Sequence, residues 1–175
     1  PPGTDGVLME VKPGYKQTEV GVIPEDWSIP MLGSMTTRIA NGLVYRQGKS
    51  TRYPVTRIET IADGSIDMER VGYAEPTSDI EKYRLQFGDI LFSHINSVDH
   101  IGKVAIYRGA SPLYHGMNLL LLRSGDKIDS EYLYYWLGSS GGRRKAMSLA
   151  RQAVSQASIN TTELKEILVP VPPAK

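Results

Sequence analysis

The sequence predicts a single α+β domain, with a mostly antiparallel sheet or partly open barrel followed by a few short helices. Short β-branched and aromatic runs, separated by turn-forming residues, fill most of the chain up to about residue 123. Apolar residues with helical spacing appear only in the last third, and no segment is repeated. A length of 175 residues fits one domain. Together these observations favour α+β over an alternating α/β arrangement.

The clearest strands lie in the middle of the chain. Residues 90–93 (ILFS) follow Gly88-Asp89, and residues 102–107 (GKVAIY) have the same buried character. Residues 96–100 (NSVDH), which separate them, are polar. The segment therefore predicts a hairpin with a polar tip, and residues 118–123 predict a further core strand.

Upstream of this hairpin the sequence predicts a loop and a weaker strand pair. Residues 41–54 are dense in turn formers and polar groups, which is typical of an exposed loop. Residues 55–61 and 66–71 are candidate strands joined by the turn Asp63-Gly64-Ser65.

The last third predicts two helices and an extended end. Residues 131–137 have apolar side chains at helical spacing and are followed by Gly138, while residues 143–152 predict a second, basic helix. Asn160 and Glu163 are spaced as an N-terminal capping pair. The prolines within residues 167–173 then predict an extended segment.

Charge is distributed unevenly, although the formal net charge is only +1. Residues 38–57 contain five cations and no acid, and residues 132–162 contain four cations and no acid. The stretch between residues 59 and 99 is mostly acidic. If the two basic stretches meet on one face they would form a phosphate-binding surface, whereas separate solvated surfaces are the alternative.

Two sets of side chains have the chemistry of DNA contacts. Arginine, asparagine, glutamine, serine and histidine can read base edges, while arginine and lysine neutralise phosphates. The candidate base-reading residues are His94, Asn96, Ser97, His100, Gln47, Arg52, Tyr53 and Gln156, with Gln152, Ser155 and Ser158 in the same segment as Gln156. The candidate phosphate-binding residues are Arg38, Arg46, Lys49, Arg57, Lys103, Arg143, Arg144, Lys145 and Arg151. For any single residue, solvation or turn capping is the alternative.

No catalytic or metal-binding pattern emerges from the sequence. There is no cysteine, which excludes disulfides and thiolate metal sites and fits a reducing compartment. No phosphate-binding glycine loop, nucleophile elbow or zinc-protease motif occurs. The alternatives that remain are a small hydrolase or transferase using His94, Asp99 and His100, and a protein-interaction module. The longest apolar runs are too short to span a membrane.

Three segments resemble the target recognition domains of type I restriction–modification specificity subunits. The first is YKQTEVGVIPEDW at residues 15–27, and the second is GDIL at residues 88–91 followed by IGKVAI at residues 101–106. The third begins with QASIN at residues 156–160 and continues through Leu164 and Ile167 to PVPP at residues 170–173. Their order and spacing make the resemblance specific, and it covers about residues 15–175.

This resemblance implies a non-catalytic DNA-binding domain that reads one half of a split target. We expect residues 1–14 to be a flexible tail and residues 15–175 to be the recognition domain, without the spacer helix and second recognition domain of the family. The implied partners are double-stranded DNA, methyltransferase subunits that hold S-adenosylmethionine, and a motor endonuclease subunit. No cofactor is expected in this chain, and a cytoplasmic location is expected. The recognition domain of a fused restriction–methylation enzyme is the nearest alternative.

Overall fold

The computed structural model describes residues 11–97, 99–109, 111–152 and 157–173. Their strands are β1 (Tyr15–Thr18), β2 (Gly21–Pro24), β3 (Thr36–Asn41), β4 (Pro54–Val55), β5 (Gly72–Tyr73), β6 (Ile90–Phe92), β7 (Ile95–Asn96), β8 (Val104–Ile106), β9 (Leu120–Ser124), β10 (Arg151–Gln152) and β11 (Ala157–Ser158). Their α-helices are α1 (Leu32–Met35), α2 (Ser130–Gly138), α3 (Ser140–Met147) and α4 (Thr161–Lys165). Short 3-10 helices span Ile58–Ile61, Met68–Arg70 and Ile80–Tyr83.

The centre of the fold is an antiparallel sheet with the strand order β3-β9-β6-β8. Leu91 in β6 lies opposite Ala105 in β8 and Leu121 in β9. Ile90 and Phe92 pack into one apolar cluster, while Leu91 packs into a second. Because both faces of the sheet are covered here, β6 and β8 are apolar at every position. The α+β prediction is confirmed, and in the described residues the sheet is open.

The first apolar cluster is covered by the helices. Leu133 and Leu137, one turn apart on α2, are fully buried, as is Leu164 on α4. Asp129 caps α2 by accepting a hydrogen bond from the Tyr132 amide at 2.9 Å. Burial of each leucine contributes roughly 1.5–3 kcal/mol.

A buried ion pair supports the start of the β6–β8 hairpin. Arg123 donates from Nε to Oδ1 of Asp89 at 2.7 Å and from Nη2 to Oδ2 at 2.8 Å. Asp89 also accepts a hydrogen bond from the amide of Gln86 at 2.7 Å. This carboxylate is 1% exposed. Its loss would leave the Arg123 guanidinium, itself partly buried, without a counter-charge.

A third apolar cluster holds the upstream segments together. Its buried members are Leu43, Val55, Ala74, Ile80 and Tyr114. The backbones around it pass close to one another, since a Cβ on Gly42 would lie 2.1 Å from the carbonyl oxygen of Gly116. A side chain at residue 42 would therefore separate the loop from its support.

The predicted strands at residues 55–61 and 66–71 are largely wrong. Only Pro54–Val55 is a strand, and it pairs with Gly72–Tyr73. Between them the chain forms 3-10 turns, because Thr60 donates from Oγ1 to the Arg70 carbonyl and accepts from the Arg57 amide. These local hydrogen bonds replace the ladder of a hairpin.

The second helix begins and ends earlier than predicted. It spans Ser140–Met147 and not residues 143–152. Ser139 caps it by accepting from the Gly142 amide, and a Cβ on Gly142 would lie 2.0 Å from the Trp136 carbonyl oxygen. Glycine is therefore required at residue 142, inside the helix. Beyond this helix, strand β11 pairs with β7, which follows β6 of the hairpin.

The chain's entry and exit segments run side by side; the sequence predicted that the exit segment is extended but not this pairing. Ser28 pairs with Val171, and Met31 pairs with Leu168. The amide of Val169 donates to the Pro30 carbonyl at 3.0 Å. In the described residues, no helix is long and apolar enough to cross a membrane.

Candidate nucleic-acid interface

The β6–β8 hairpin continues beyond its strands as a tightly bonded loop. Ser93 donates from its amide to the Lys103 carbonyl at 2.9 Å, and Gly102 donates back to Ser93 at 2.7 Å. The amides of His100 and Ile101 both donate to the Ser97 carbonyl, at 3.0 and 2.9 Å. The loop is therefore held by its own backbone and by the sheet beneath it.

Residues after α3 complete this loop as a small sheet. β11 pairs antiparallel with β7 on one side and with β10 on the other, so that Ala157 lies opposite both Asn96 and Gln152. The Ile159 amide also donates to the His94 carbonyl at 2.8 Å. We call β7, β10 and β11, together with Ser97, Asp99 and His100, the tip sheet. The structure thus brings together two polar segments that are about sixty residues apart in sequence.

Three cationic side chains lie in the tip sheet or contact it. Arg143 on α3 donates from Nη2 to the Asp99 carbonyl at 3.0 Å. Lys103 places Nζ 2.9 Å from His100 Nδ1 and donates to the Ala62 carbonyl at 2.6 Å. Arg151 in β10 is 72% exposed and pairs with Glu163 at 2.5 Å. Three predicted phosphate-binding residues therefore lie at one surface.

His94 does not lie on the exposed tip as predicted. Its side chain is buried, with 6% exposed, and Nδ1 has no partner in the described residues. Burial lowers the pKa of its imidazole from 6.5 to about 4, because a charge there would lose its hydration. The side chain is neutral near pH 7. Because the His94 side chain is buried, we assign it a structural role and not a contact with DNA.

Asn96 is engaged within the loop. Its Nδ2 donates to Ser93 Oγ at 3.2 Å, and its Oδ1 accepts from the Ser97 amide at 2.8 Å. This is the turn-capping arrangement that was the alternative to base reading. Ser97 and Ser158 have exposed side chains, and His100 is half-buried. These three residues are therefore the more accessible polar groups of the tip sheet.

The first predicted loop forms a second polar surface. Arg46, Gln47, Lys49 and Arg52 are exposed. The loop is fixed at Gln47, which bridges to Ala74. Tyr53 is less accessible than predicted, because its ring packs edge-on against Tyr114 with centroids 5.6 Å apart. The guanidinium of Arg52 lies 5.3 Å from the centroid of the Tyr53 ring.

The remaining predicted phosphate-binding residues are dispersed. Arg38 donates to the Lys82 carbonyl at 3.3 Å, and Arg57 pairs with Glu59 at 3.4 Å. Arg144 and Lys145 line a groove that also contains Glu19 and Trp136. Among the described residues, no hydrogen bond or ion pair joins the basic stretch 38–57 to the stretch 143–151.

Part of the predicted set cannot be placed. Ser155 and Gln156 lie outside the described residues, and of Gln152 only the backbone pairing is described.

Sequence reasoning missed a groove beside the tip sheet. It is lined by Gly64, Lys103, Tyr134, Tyr135, Gly138 and Arg143, among others, and has a volume of about 510 Å³. Tyr135 is 65% exposed. The exposure of Tyr135 could have been predicted from the sequence. If Leu133 and Leu137 on α2 are buried, helical geometry turns residue 135 outward.

The described residues offer little for catalysis. In them, no group of three or more histidine, cysteine, aspartate or glutamate residues could hold a metal ion. His94 is buried, and the ring of His100 faces Lys103 at hydrogen-bonding distance. No hydrogen bond in the described part of the chain links His94, Asp99 and His100 through their side chains.

The fold and this surface define a class: an α+β binding domain that presents polar and cationic side chains on a small sheet fixed to a buried hairpin. The model of the type I restriction modification DNA specificity domain matches residues 24–175. The chain belongs to this family.

Individual relatives agree with this assignment. The chain is 51% identical over 164 residues to a Methanocaldococcus jannaschii protein named as the type I restriction enzyme MjaX specificity subunit. That match covers 91% of this chain and 39% of the relative. It is 28% identical over 151 residues to the type I restriction enzyme EcoKI specificity subunit of Escherichia coli, covering 81% and 32%. The chain therefore spans about two fifths or less of these relatives.

Solved structures share the fold at low sequence identity. The HsdS subunit from Thermoanaerobacter tengcongensis aligns with a TM-score of 0.58 at 18% identity, covering 91% of this chain and 36% of that one. A chain from a type I restriction–modification assembly gives a TM-score of 0.61 at 18% identity, covering 86% and 35%. The type IIG restriction endonuclease BpuSI gives 0.59 at 10%, covering 81% and 24%.

Proposed function

We propose that this chain is a DNA target recognition domain that binds duplex DNA sequence-specifically and reads one half of a bipartite target. The observation that carries the proposal is the tip sheet. Two polar segments, each weak evidence alone, meet there on a rigid support beside Arg143 and Arg151. Membership in the DNA specificity family supports the same function.

The tip sheet has the shape and chemistry for base recognition. The major groove admits small β-structures, and hydroxyl and imidazole groups can hydrogen-bond to base edges there. Ser97, His100 and Ser158 supply those groups in this proposal. Arg143 and Arg151 contact the neighbouring phosphates, which fix the register of the protein on the duplex. The first loop, with Gln47 and Arg52, supplies a second contact.

Catalysis belongs to partners in this proposal. Methyltransferase subunits bind S-adenosylmethionine and modify the target, while a separate motor subunit cleaves DNA. Within this complex, which is expected in the cytoplasm, the role of the present chain is to select the DNA sequence. Its resemblance to specificity subunits of type I enzymes supports this division of roles.

A polarization titration with a fluorescent random-sequence duplex at two salt concentrations tests the proposal. DNA binding releases counterions, so affinity should fall steeply with salt. A hydrolase for small molecules or a protein-interaction module should show no such binding. Methylation or cleavage of DNA by the chain alone, lost in His100→Ala, would contradict the non-catalytic role.

A recognition domain of a fused restriction–methylation enzyme is the second candidate. The structural likeness to the type IIG enzyme BpuSI favours it, although at 10% identity that likeness concerns the fold. Reconstitution distinguishes the two. A type I domain should direct separately expressed methyltransferase subunits to its target, whereas a domain of a fused enzyme should not.

A further inference from the structure

The groove between α2, α3 and the start of β8 borders the tip sheet. Two residues that line the groove also contact the tip sheet. Arg143 lines the groove and donates to Asp99, and Lys103 lines the groove and meets His100. The groove therefore opens next to the surface that is proposed to read bases.

The groove combines cations with aromatic rings. Lys103 and Arg143 supply positive charge, and Tyr134 and Tyr135 line one wall with ring centroids 5.1 Å apart. The acid in its lining, Asp63, is paired with Arg70 at 3.1 Å. Cations suit phosphate, and aromatic faces suit the apolar surface of a sugar or base. The backbone of a DNA strand offers both kinds of group, a charged phosphate and the apolar face of a sugar.

Gly138, the last residue of α2, lines the groove and offers a position at which it can be filled. A Cβ on Gly138 would lie 3.5 Å from Val104 Cγ2, an ordinary van der Waals contact, and the φ of Gly138 is not positive. Alanine therefore fits at residue 138 without strain. Because Gly138 lines the groove, a larger apolar side chain at this residue adds volume to the groove wall.

We propose that this groove binds the sugar–phosphate backbone of one DNA strand next to the bases read by the tip sheet. The proposal rests on the proposed function and adds a defined backbone site to it. Arg143 and Lys103 neutralise phosphate there, and the exposed ring of Tyr135 contacts the adjoining sugar. The bound segment belongs to DNA and is not a free nucleotide.

Two pairs of variants test the groove with a fluorescent random-sequence duplex. Gly138→Leu fills the groove without changing any charge, and Gly138→Ala is its matched control. Arg143→Gln removes one cation from the groove, and Lys127→Gln removes an exposed cation from the turn before α2. Thermal melting shows that each variant is folded. Gly138→Leu leaves the Arg143–Asp99 bond in place, so it separates groove occupancy from support of the tip.

We expect Gly138→Leu to weaken duplex binding about tenfold relative to Gly138→Ala, comparable to losing one or two phosphate contacts. Arg143→Gln should reduce the slope of log affinity against log salt by about 0.9, while Lys127→Gln leaves it unchanged. On a duplex of the sequence selected by the wild type, which fixes the register, neutral methylphosphonate linkages placed singly should weaken the wild type at one position that no longer matters in Arg143→Gln.

Each other outcome overturns a defined claim. If the wild type does not bind duplex at low salt, the proposed function fails. If it binds, but each variant equals its control, the groove is not a backbone site. Binding of a nucleoside monophosphate that Gly138→Leu abolishes, with duplex binding unchanged, would make the groove a small-anion site and contradict the proposal.

Discussion

Arg143 and Asp99 are joined by a hydrogen bond from the guanidinium Nη2 to the backbone carbonyl, 3.0 Å long. This bond attaches helix α3 to the loop of the β6–β8 hairpin, although the residues are 44 positions apart. It uses the backbone oxygen of Asp99, so it does not depend on the side chain there. A cation is thereby fixed beside the tip sheet, where a phosphate would lie if the tip enters a groove of DNA.

Glu163 and Arg151 provide a test of electrostatics at this surface. Glu163→Gln removes the acid that pairs with Arg151 and frees that guanidinium for phosphate. We expect affinity for random-sequence duplex at low salt to rise about twofold to fivefold. A change of this size corresponds to the usual energy of an exposed ion pair. Glu166→Gln, at the residue that follows α4, is the charge-matched control and should have a smaller effect. Equal effects of the two variants would mean that only net charge matters.

Asn96→Ala tests whether this residue caps the loop. The variant loses the bonds to Ser93 Oγ and to the Ser97 amide, which should lower the free energy of unfolding by about 1–2 kcal/mol. We expect binding to all duplexes to weaken together. Ser158→Ala, at an exposed position of the same sheet, should keep its melting temperature. A stable Asn96→Ala protein with altered preference at one base pair would instead assign Asn96 to base reading.

Asp89→Asn tests the buried ion pair below the hairpin. Removing the negative charge leaves Arg123 without its counter-ion, so urea denaturation should show a loss of about 3 kcal/mol. Asp63→Asn, which breaks an exposed pair with Arg70, should leave the urea midpoint unchanged. A loss at Asp89 no larger than at Asp63 would show that the buried pair adds nothing to stability.

The two buried histidines predict a pH dependence of stability. Burial lowers the pKa of His94 to about 4, and burial is also the main reason that the pKa of His115 falls to about 4. The unfolded chain binds these protons near pH 6.5, so between pH 6.5 and 4 it holds more protons than the folded state. Stability therefore decreases as the pH falls through this range.

The expected loss between pH 7 and pH 5 is about 2 kcal/mol for each histidine. His94→Gln should remove about half of this pH dependence, whatever its effect on stability at pH 7. His100→Gln should keep the dependence, because both buried imidazoles remain. Denaturation curves at several pH values measure the slope, and an unchanged slope in His94→Gln would contradict the assignment.

The sequence predicted the elements that can be recognised from their own residues. Residues 90–92 and 104–106 are apolar throughout because both sides of their sheet are covered, and such runs are readable without a structure. The helix predicted at residues 131–137 spans Ser130–Gly138, and it was predictable because its apolar side chains have helical spacing and Gly138 marks its end.

Features that depend on distant partners were not predictable. β7 and β11 are two residues long, and their pairing depends on the return of the chain after α3. Local sequence holds too little information for strands of this length. His94 was assigned to the exposed hairpin tip because it is polar, whereas its backbone carbonyl is bonded to the Ile159 amide and its side chain is buried.

Selection of bound sequences from a random duplex library most directly tests the claim that this domain reads DNA. After several rounds with the wild-type chain, we expect enrichment of one short sequence, with the purified winner bound more tightly than random duplex at the same salt concentration. Ser97→Ala and Ser158→Ala should each relax the selected sequence at defined positions. A library that remains random after selection, although the folded chain binds duplex, would contradict sequence recognition and leave only non-specific binding.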